Sequence, residues 1–212
     1  MGKPTASNFD RIITPGGKPC KAETTRAYAR LLLAEELLGY AQESIDHLAD
    51  VERGKLKEEE AATRFAADYG LDVLPCGFFT DNEETMGCSP DRLIAGPHHF
   101  LEIKVPAPHT HIRYMDQGFG SDYRHQVQGT LWVGEFERGY RYSYHETLRP
   151  VCEVVERDDA YIAKLAAAMA EFLDMKNDLK ERLLASGSLF QADALGVLNV
   201  RAYTAEDYMA TP

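Results

Sequence analysis

Two short stretches hold the residue types needed for hydrolysis at phosphorus: Gly-Cys-Ser-Pro-Asp-Arg-Leu-Ile at 87–94 and Leu-Glu-Ile-Lys-Val-Pro at 101–106. In a β-strand, side chains alternate between faces, so Leu101, Ile103 and Val105 are expected in the core while Glu102 and Lys104 emerge together on the other side. If the two stretches form a hairpin, Asp91 at the end of the first approaches Glu102 on the second. Two carboxylates that close repel unless one is protonated or a cation lies between them. Hard oxygen ligands with positions left for water and phosphate suit magnesium or manganese. Lys104 adds an ammonium beside that cation, where it can orient an attacking water, help deprotonate it or stabilise charge on the phosphate. This is equipment for opening a phosphodiester. A bare Glu-x-Lys is otherwise a salt bridge on a solvated sheet face, and the spacing alone leaves that reading open.

The elements that must position these residues follow from periodicity. Apolar residues recur at helical spacing over 23–38, ahead of Gly39 as a C-terminal stop, and again over 56–69, where Glu58, Glu59 and Glu60 fall in the expected first turn. Three strands are expected at 71–80, 86–95 and 100–105, separated by Asp81-Asn82-Glu83 and Gly96-Pro97 turn signals. A helix follows at 123–133, then strands at 140–144 and 151–155, then an amphipathic helix over 160–184. Near the start, Ser7 is a candidate helix N-cap before Phe9, Ile12 and Ile13, and 15–19 breaks that run as a loop. This order predicts an α/β fold in which a mixed sheet is flanked by helices. No linker-like composition interrupts it, so 1–212 is read as a single domain, with 186–212 as a C-terminal extension available for oligomer or partner contacts.

With 212 residues, 44% hydrophobic and 27% charged, the composition excludes a disordered or collagen-like chain. No stretch approaches the roughly 18–20 apolar residues of a membrane span, and 1–10 lacks the layout of a signal peptide, so the chain is expected to be cytoplasmic. Cys20, Cys76, Cys88 and Cys152 form no Cys-x-x-Cys pair and are read as free buried thiols. The 34 acidic against 23 basic residues give a net charge of -11, which argues against general attraction to nucleic acid. The basic excess is local: residues 1–30 carry six bases, Lys3, Arg11, Lys18, Lys21, Arg26 and Arg30, against Asp10 and Glu23. His98-His99 and His109-x-His111 lack paired thiolates and sit in a turn-like setting, which weighs against a zinc site. Trp132 is read as core, and Ser121 and Ser143 have no evident neighbouring base.

Pro90-Asp91 followed by Glu102-Ile103-Lys104 resembles the motif of the PD-(D/E)XK nuclease superfamily. The flanking blocks Thr5-Ala6-Ser7, Arg53-Gly54-Lys55-Leu56-Lys57-Glu58, Ser89-Pro90-Asp91 and Tyr123-Arg124-His125-Gln126-Val127-Gln128 are similar to the phage lambda exonuclease and YqaJ-type viral recombinase family. The likeness runs in consistent order over about residues 2–175. It implies a restriction-endonuclease-like fold and a metal-dependent 5'-to-3' exonuclease that digests one strand of linear double-stranded DNA to mononucleotides, leaving a 3' single strand. Asp91, Glu102 and the main-chain carbonyl of Ile103 would hold magnesium, with manganese as a substitute. Glu58 would serve a second ion, whereas Glu59 and Glu60 are read as solvated. Lys104 would act on the nucleophilic water, and Tyr123 and Gln126, three apart and so expected on one helix face, would position Lys104, the water or the phosphate. Gln128 is read as structural.

The same resemblance gives Thr5 and Ser7 to the terminal 5'-phosphate. The arginine that precedes this segment in the family would fall ahead of Met1, and the arginine that follows the lysine strand is absent, which leaves Arg113, His109 or a base among Lys18, Lys21 and Arg26 as candidate replacements. It further implies a homotrimeric ring around DNA, whose basic interior would reconcile the net charge with the substrate, and a single-strand annealing protein as partner in a phage or prophage setting. Two other readings stay open at this point: a structure-specific or restriction-type endonuclease, and a catalytically inactive DNA-end-binding module.

Overall fold

The computed structural model describes residues 1–41 and 48–187; most of the expected 186–212 extension, and the side chains of Arg53, Gly54 and Lys55, lie outside the described residues. The chain opens with a short 3-10 turn, Ala6–Arg11, then helices α1, Ala22–Leu38, and α2, Leu48–Tyr69. Five short strands follow: β1 Val73–Pro75, β2 Phe79–Thr80, β3 Gly87–Cys88, β4 Arg92–Ile94 and β5 His99–Lys104. Helices α3, Pro108–Gln117, and α4, Arg124–Val133, lead to β6, Arg138–Ser143, β7, Val151–Glu156, and the long α5, Asp159–Ala185. The strands form a five-stranded sheet ordered β1-β4-β5-β6-β7 and a separate β2-β3 pair. Only β5 and β6 run parallel, so the chain crosses over between them through α3 and α4. This is the expected mixed sheet flanked by helices.

The core is layered by the alternation of β5. Leu101 and Ile103 face α2, where Phe65 meets Tyr142 edge-on at 5.3 Å and Ala61 and Ala62 permit close approach. Phe100 faces the opposite side and packs with Val127, Leu131 and Phe136 under α4. Beyond α4 lies a third cluster in which Phe9, Ile12 and Ile13 from the N-terminal segment pack with Tyr28 and Leu32 of α1 and Leu165, Met169 and Phe172 of α5. The N-terminal turn reaches α4 because Gly129 stands there: a Cβ at that position would meet the Phe9 ring at 2.6 Å. Buried Lys176 donates from Nζ to the Gly2 carbonyl at 2.7 Å and to Glu36 at 2.6 Å, so the start of the chain is fastened to α1 and α5. Among the described residues no helix is long and apolar enough to cross a membrane.

Several expectations are corrected. The strand expected at 71–80 divides into β1 and β2, and that at 86–95 into β3 and β4, because Cys76-Gly77-Phe78 and Ser89-Pro90-Asp91 interrupt them; proline removes a ladder donor and fixes its own φ. Helix α2 starts eight residues earlier than expected, so Glu58, Glu59 and Glu60 lie within it and not in its first turn. Ser7 is inside the 3-10 turn; Thr5 holds the N-cap position, without a side-chain cap bond. Val105, expected in the core, lies past the end of β5 and is exposed. Pro108 begins a helix instead of a turn, as its preset φ and missing N–H allow at a first helical position, so His109 and His111 are helical. Of the four free cysteines only Cys88 is fully buried.

Candidate functional site

β4 and β5 pair antiparallel with Arg92 opposite Leu101, which brings Asp91, one residue before β4, beside Glu102. The Asp91 carboxylate accepts the main-chain N–H of Ile103 at 2.6 Å. Glu102 faces the α4 side of the sheet with 2% of its surface exposed. Its Oε1 accepts Lys104 Nζ at 2.7 Å and Gln126 Nε2 at 2.5 Å. Its Oε2 is buried without a hydrogen-bond partner. The Glu102–Lys104 pair is therefore no salt bridge on a solvated face; it is sealed between the sheet and α4.

The electrostatics follow from that burial. Burial, then the charge of Glu102, pushes the Asp91 carboxyl up to about 7. Burial raises Glu102 as well, with the charge of Glu58 adding to the repulsion and Lys104 opposing it. Burial works against the charge on Lys104, but Glu102 and Asp91 outweigh it and hold the ammonium protonated. Two interior carboxylates that resist ionisation, one with an orphaned oxygen, form a donor set that a divalent cation would complete. Ile103, next after Glu102 in β5, is tied to Asp91 through its N–H. Among the described residues no three His, Cys, Asp or Glu side chains are grouped as a ready ion site; Glu58, on α2, is near enough for its charge to raise both acids.

The residues around this pair arrive from four elements. Tyr123 is not on the helix face with Gln126 but at the N-cap of α4, in the left-handed region at φ 57°. That conformation turns its ring over Lys104, with Nζ 4.6 Å from the ring centroid, so Tyr123 meets the amine while Gln126 meets Glu102. Glu59 and Glu60 are exposed, as expected, and also tie α2 to the sheet: Arg92 donates to Glu59 and to the Asp91 carbonyl, and the Tyr144 hydroxyl donates to Glu60 at 2.6 Å. This tether holds the stretch of α2 that carries Glu58, the residue just before them. Gln128 is structural as expected, donating to the Glu156 carbonyl and accepting from Asp158 N–H at 2.9 Å each.

The Thr5 and Ser7 hydroxyls are 3.1 Å apart, and Thr5 bridges to Gly87 just before the Ser89-Pro90-Asp91 block. The His125 imidazole, next to Gln126 on α4, bonds toward the Ser7 main chain, and its Nδ1 is buried without a partner. The N-terminal turn and the acid pair thus share one helix terminus. Arg113 lies on α3 and is committed to Asp122 at 2.5 Å. His111, entirely buried, does place a base beside Ser143, 2.7 Å from Nδ1 to Oγ, with Nε2 at 3.0 Å from the Arg149 carbonyl; the pair is closed inside the fold and reaches no substrate. His98 packs on Phe136, and His99 lies 3.8 Å from Glu137. Trp132 is half-buried at the edge of the third cluster. The sequence held no signal for His125, Arg141 or Glu153, whose parts depend on contacts 12 or more residues away.

Residues 1–137 match the YqaJ-like viral recombinase domain. Among solved structures the chain is similar to an alkaline exonuclease, LHK-Exo, from Laribacter hongkongensis, at 26% identity and a TM-score of 0.77, covering 88% of this chain and 94% of that one. The same enzyme in complex with dAMP aligns at 26% identity and a TM-score of 0.75 over the same shares of 88% and 94%. A phage-related exonuclease from Haemophilus somnus 129PT shares the fold at 16% identity and a TM-score of 0.67, over 85% of this chain and 96% of that one. No curated protein matches the chain.

Proposed function

The chain belongs to the YqaJ-like viral recombinase family, and on that premise we propose that it is a divalent-metal-dependent 5'-to-3' exonuclease that digests one strand of linear duplex DNA to mononucleotides and leaves a 3' single strand. The observation that carries the reading is Glu102: a buried carboxylate with Oε1 fixed by Lys104 and Gln126 and Oε2 left without a partner beside Asp91. Asp91, Glu102 and the Ile103 carbonyl would hold magnesium, or manganese in its place, with Glu58 serving a second ion from α2. The metal would supply Lewis-acid polarisation of the phosphate and a water of lowered pKa.

The chain's own residues do the rest. Gln126 holds Glu102 in one rotamer. Lys104, kept protonated by Glu102 and Asp91, acts as a donor and positive charge toward the water and the phosphate instead of as a base. The Tyr123 ring limits where that ammonium can swing. Thr5, Ser7 and the main chain of the N-terminal turn receive the 5'-phosphate, next to the partnerless Nδ1 of His125; Arg113 contributes only if it leaves Asp122. In this reading the cytoplasmic chain works as a homotrimer that encircles the duplex, so its basic residues face DNA while the outer surface carries the net charge of -11. A single-strand annealing protein then receives the exposed strand, with the 186–212 extension of the nuclease domain as a contact surface.

The test is digestion of linear duplex labelled at its 5' or 3' end, with and without magnesium, beside a covalently closed circle and an Asp91→Ala control. Metal-dependent loss from the 5' ends, with the circle intact and the variant silent, is expected. Cleavage of the circle would move the reading to an endonuclease, and folded protein that binds ends without cutting would make it an inactive end-binding module.

A further inference from the structure

Tyr123 reaches Lys104 only because the five residues ahead of it, 118–122, are held in an unusual path. Gly118 has φ 70°, Gly120 has φ 55°, and Tyr123 itself, a residue with a Cβ, has φ 57°. A tyrosine in that region costs on the order of 1–2 kcal/mol and persists only where its surroundings over-determine it. The surroundings here are two side chains on neighbouring strands. Arg141 of β6 and Glu153 of β7 are register partners and bond through Nη2 and Oε2 at 2.7 Å. The other oxygen of Glu153 accepts the Phe119 N–H at 2.8 Å, and Arg141 Nη1 donates to the Asp122 carbonyl at 2.6 Å and to the Gly120 carbonyl at 3.4 Å. The guanidinium also lies over the buried Phe119 ring at 4.9 Å. Gly118 is required because a Cβ there would meet Glu153 Oε1 at 2.5 Å.

A partly buried ion pair is a poor way to hold two strands together, since desolvation of the buried arginine offsets much of its attraction and a well-packed apolar pair commonly does as well. Arg141 is 9% exposed, and its Nε has no partner at all. What an apolar pair could not do is bond main-chain groups at both ends of a loop. The outer pair on the same two strands, Arg138 and Glu156, is an ordinary exposed salt bridge at 2.8 Å and touches no loop main chain. The far end of the loop is pinned separately, by Tyr114 and Arg113 on the Asp122 carboxylate.

We infer that Arg141 and Glu153 are positioning residues: they clamp the 118–122 loop so that Tyr123 is delivered, left-handed, onto the Lys104 ammonium. Neither touches the acids or the substrate. They set the geometry of the amine from the neighbouring strands, Arg141 standing in register with Glu102 across β5 and β6, and the coupling runs through one residue, Tyr123. The inference rests on the exonuclease reading above.

The experiment uses the full chain in magnesium on 5'-labelled duplex, with kcat and KM for wild type, Glu153→Gln, Arg141→Lys and the control Glu156→Gln, each also in a Tyr123→Ala background. The expected result is a ten- to hundred-fold fall in kcat for the two clamp variants, on the order of what an ångström of misplacement costs, with KM within about two-fold and the control unchanged. In the Tyr123→Ala background the clamp variants should add less than about two-fold, because their route of action is already gone. A merely structural role would cost the same factor in both backgrounds, and that result overturns the inference, as does wild-type turnover in both folded clamp variants. If Glu153→Gln melts below the assay temperature, Arg141→Lys, which keeps the charge and loses the fork, decides alone. Wild type that releases nothing in magnesium or manganese sinks the exonuclease reading itself, an outcome distinct from active wild type with active clamp variants.

Discussion

Neutralising Asp91 should make the metal-free protein more stable while abolishing its activity. Folded Asp91 keeps its proton up to about pH 7, whereas an unfolded aspartate ionises near 4, so unfolding releases a proton between those values. Stability of the metal-free chain therefore falls as pH rises through that window, and the loss is complete above it. A gap of three units corresponds to a ceiling of about 4 kcal/mol. Asp91→Asn removes that cost and keeps an oxygen for the Ile103 N–H, but gives up the attraction to Lys104. The net gain expected at pH 8 in chelator is about 1–3 kcal/mol, or roughly 3–10 °C in Tm for a chain of this length. Near pH 4 the gain should shrink below about 1 kcal/mol. Magnesium should stabilise the wild type by up to about 2.7 kcal/mol at a hundred-fold excess over Kd, raising its Tm, and leave the variant where it was. Thermal melts of both proteins at pH 4 and 8, with chelator and with magnesium, measure all four corners. A variant that melts below wild type in chelator at pH 8, or a magnesium shift equal in both, would refute the argument that the acids repel across an ion site.

Lys104→Met should abolish digestion and cost about 3–5 kcal/mol by leaving Glu102 buried beside Asp91 without its ammonium; adding Glu102→Gln should return most of the stability and none of the activity, read by denaturant melts beside the nuclease assay. Gly129→Ala should destabilise by about 1–3 kcal/mol, because its new Cβ would stand 2.6 Å from the Phe9 ring and push the N-terminal turn off α4; urea midpoints at unchanged m test it. Burial works against the ionisation of Glu36, but Lys176 and Lys180 outweigh it and hold its carboxyl below the ordinary range. Its contribution is present above the ordinary carboxylate pKa and lost as pH falls through the folded value, so a Glu36→Gln variant should show a shallower loss of Tm than wild type between about pH 5 and 3.

The acid pair was legible in the sequence because its geometry is local. Alternation in one strand puts Glu102 and Lys104 on one face, and an antiparallel neighbour joined by a short turn brings Asp91 across, so no distant contact is needed. The long helices α1 and α5 were legible for the same reason, and they end within a residue of where periodicity and Gly39 place them. What failed was decided by single residues or by partners far along the chain. Pro90 and the Cys76-Gly77-Phe78 step divide apolar runs that read as continuous strands, because a hydrophobic pattern reports burial and not an unbroken hydrogen-bond ladder. Pro108 reads as a breaker until it occupies a first helical turn. Tyr123 was placed on a helix face by its spacing from Gln126, and reaches the same site by a different backbone, because Arg141 and Glu153, 18 and 30 residues further on, hold the loop before it. The sequence thus exposes the groups that carry the chemistry, Asp91, Glu102 and Lys104, which share one strand pair, and hides the groups that aim them. Those aiming groups act through main-chain carbonyls and N–H groups, which every residue type presents alike, and so leave no pattern in the string of side chains.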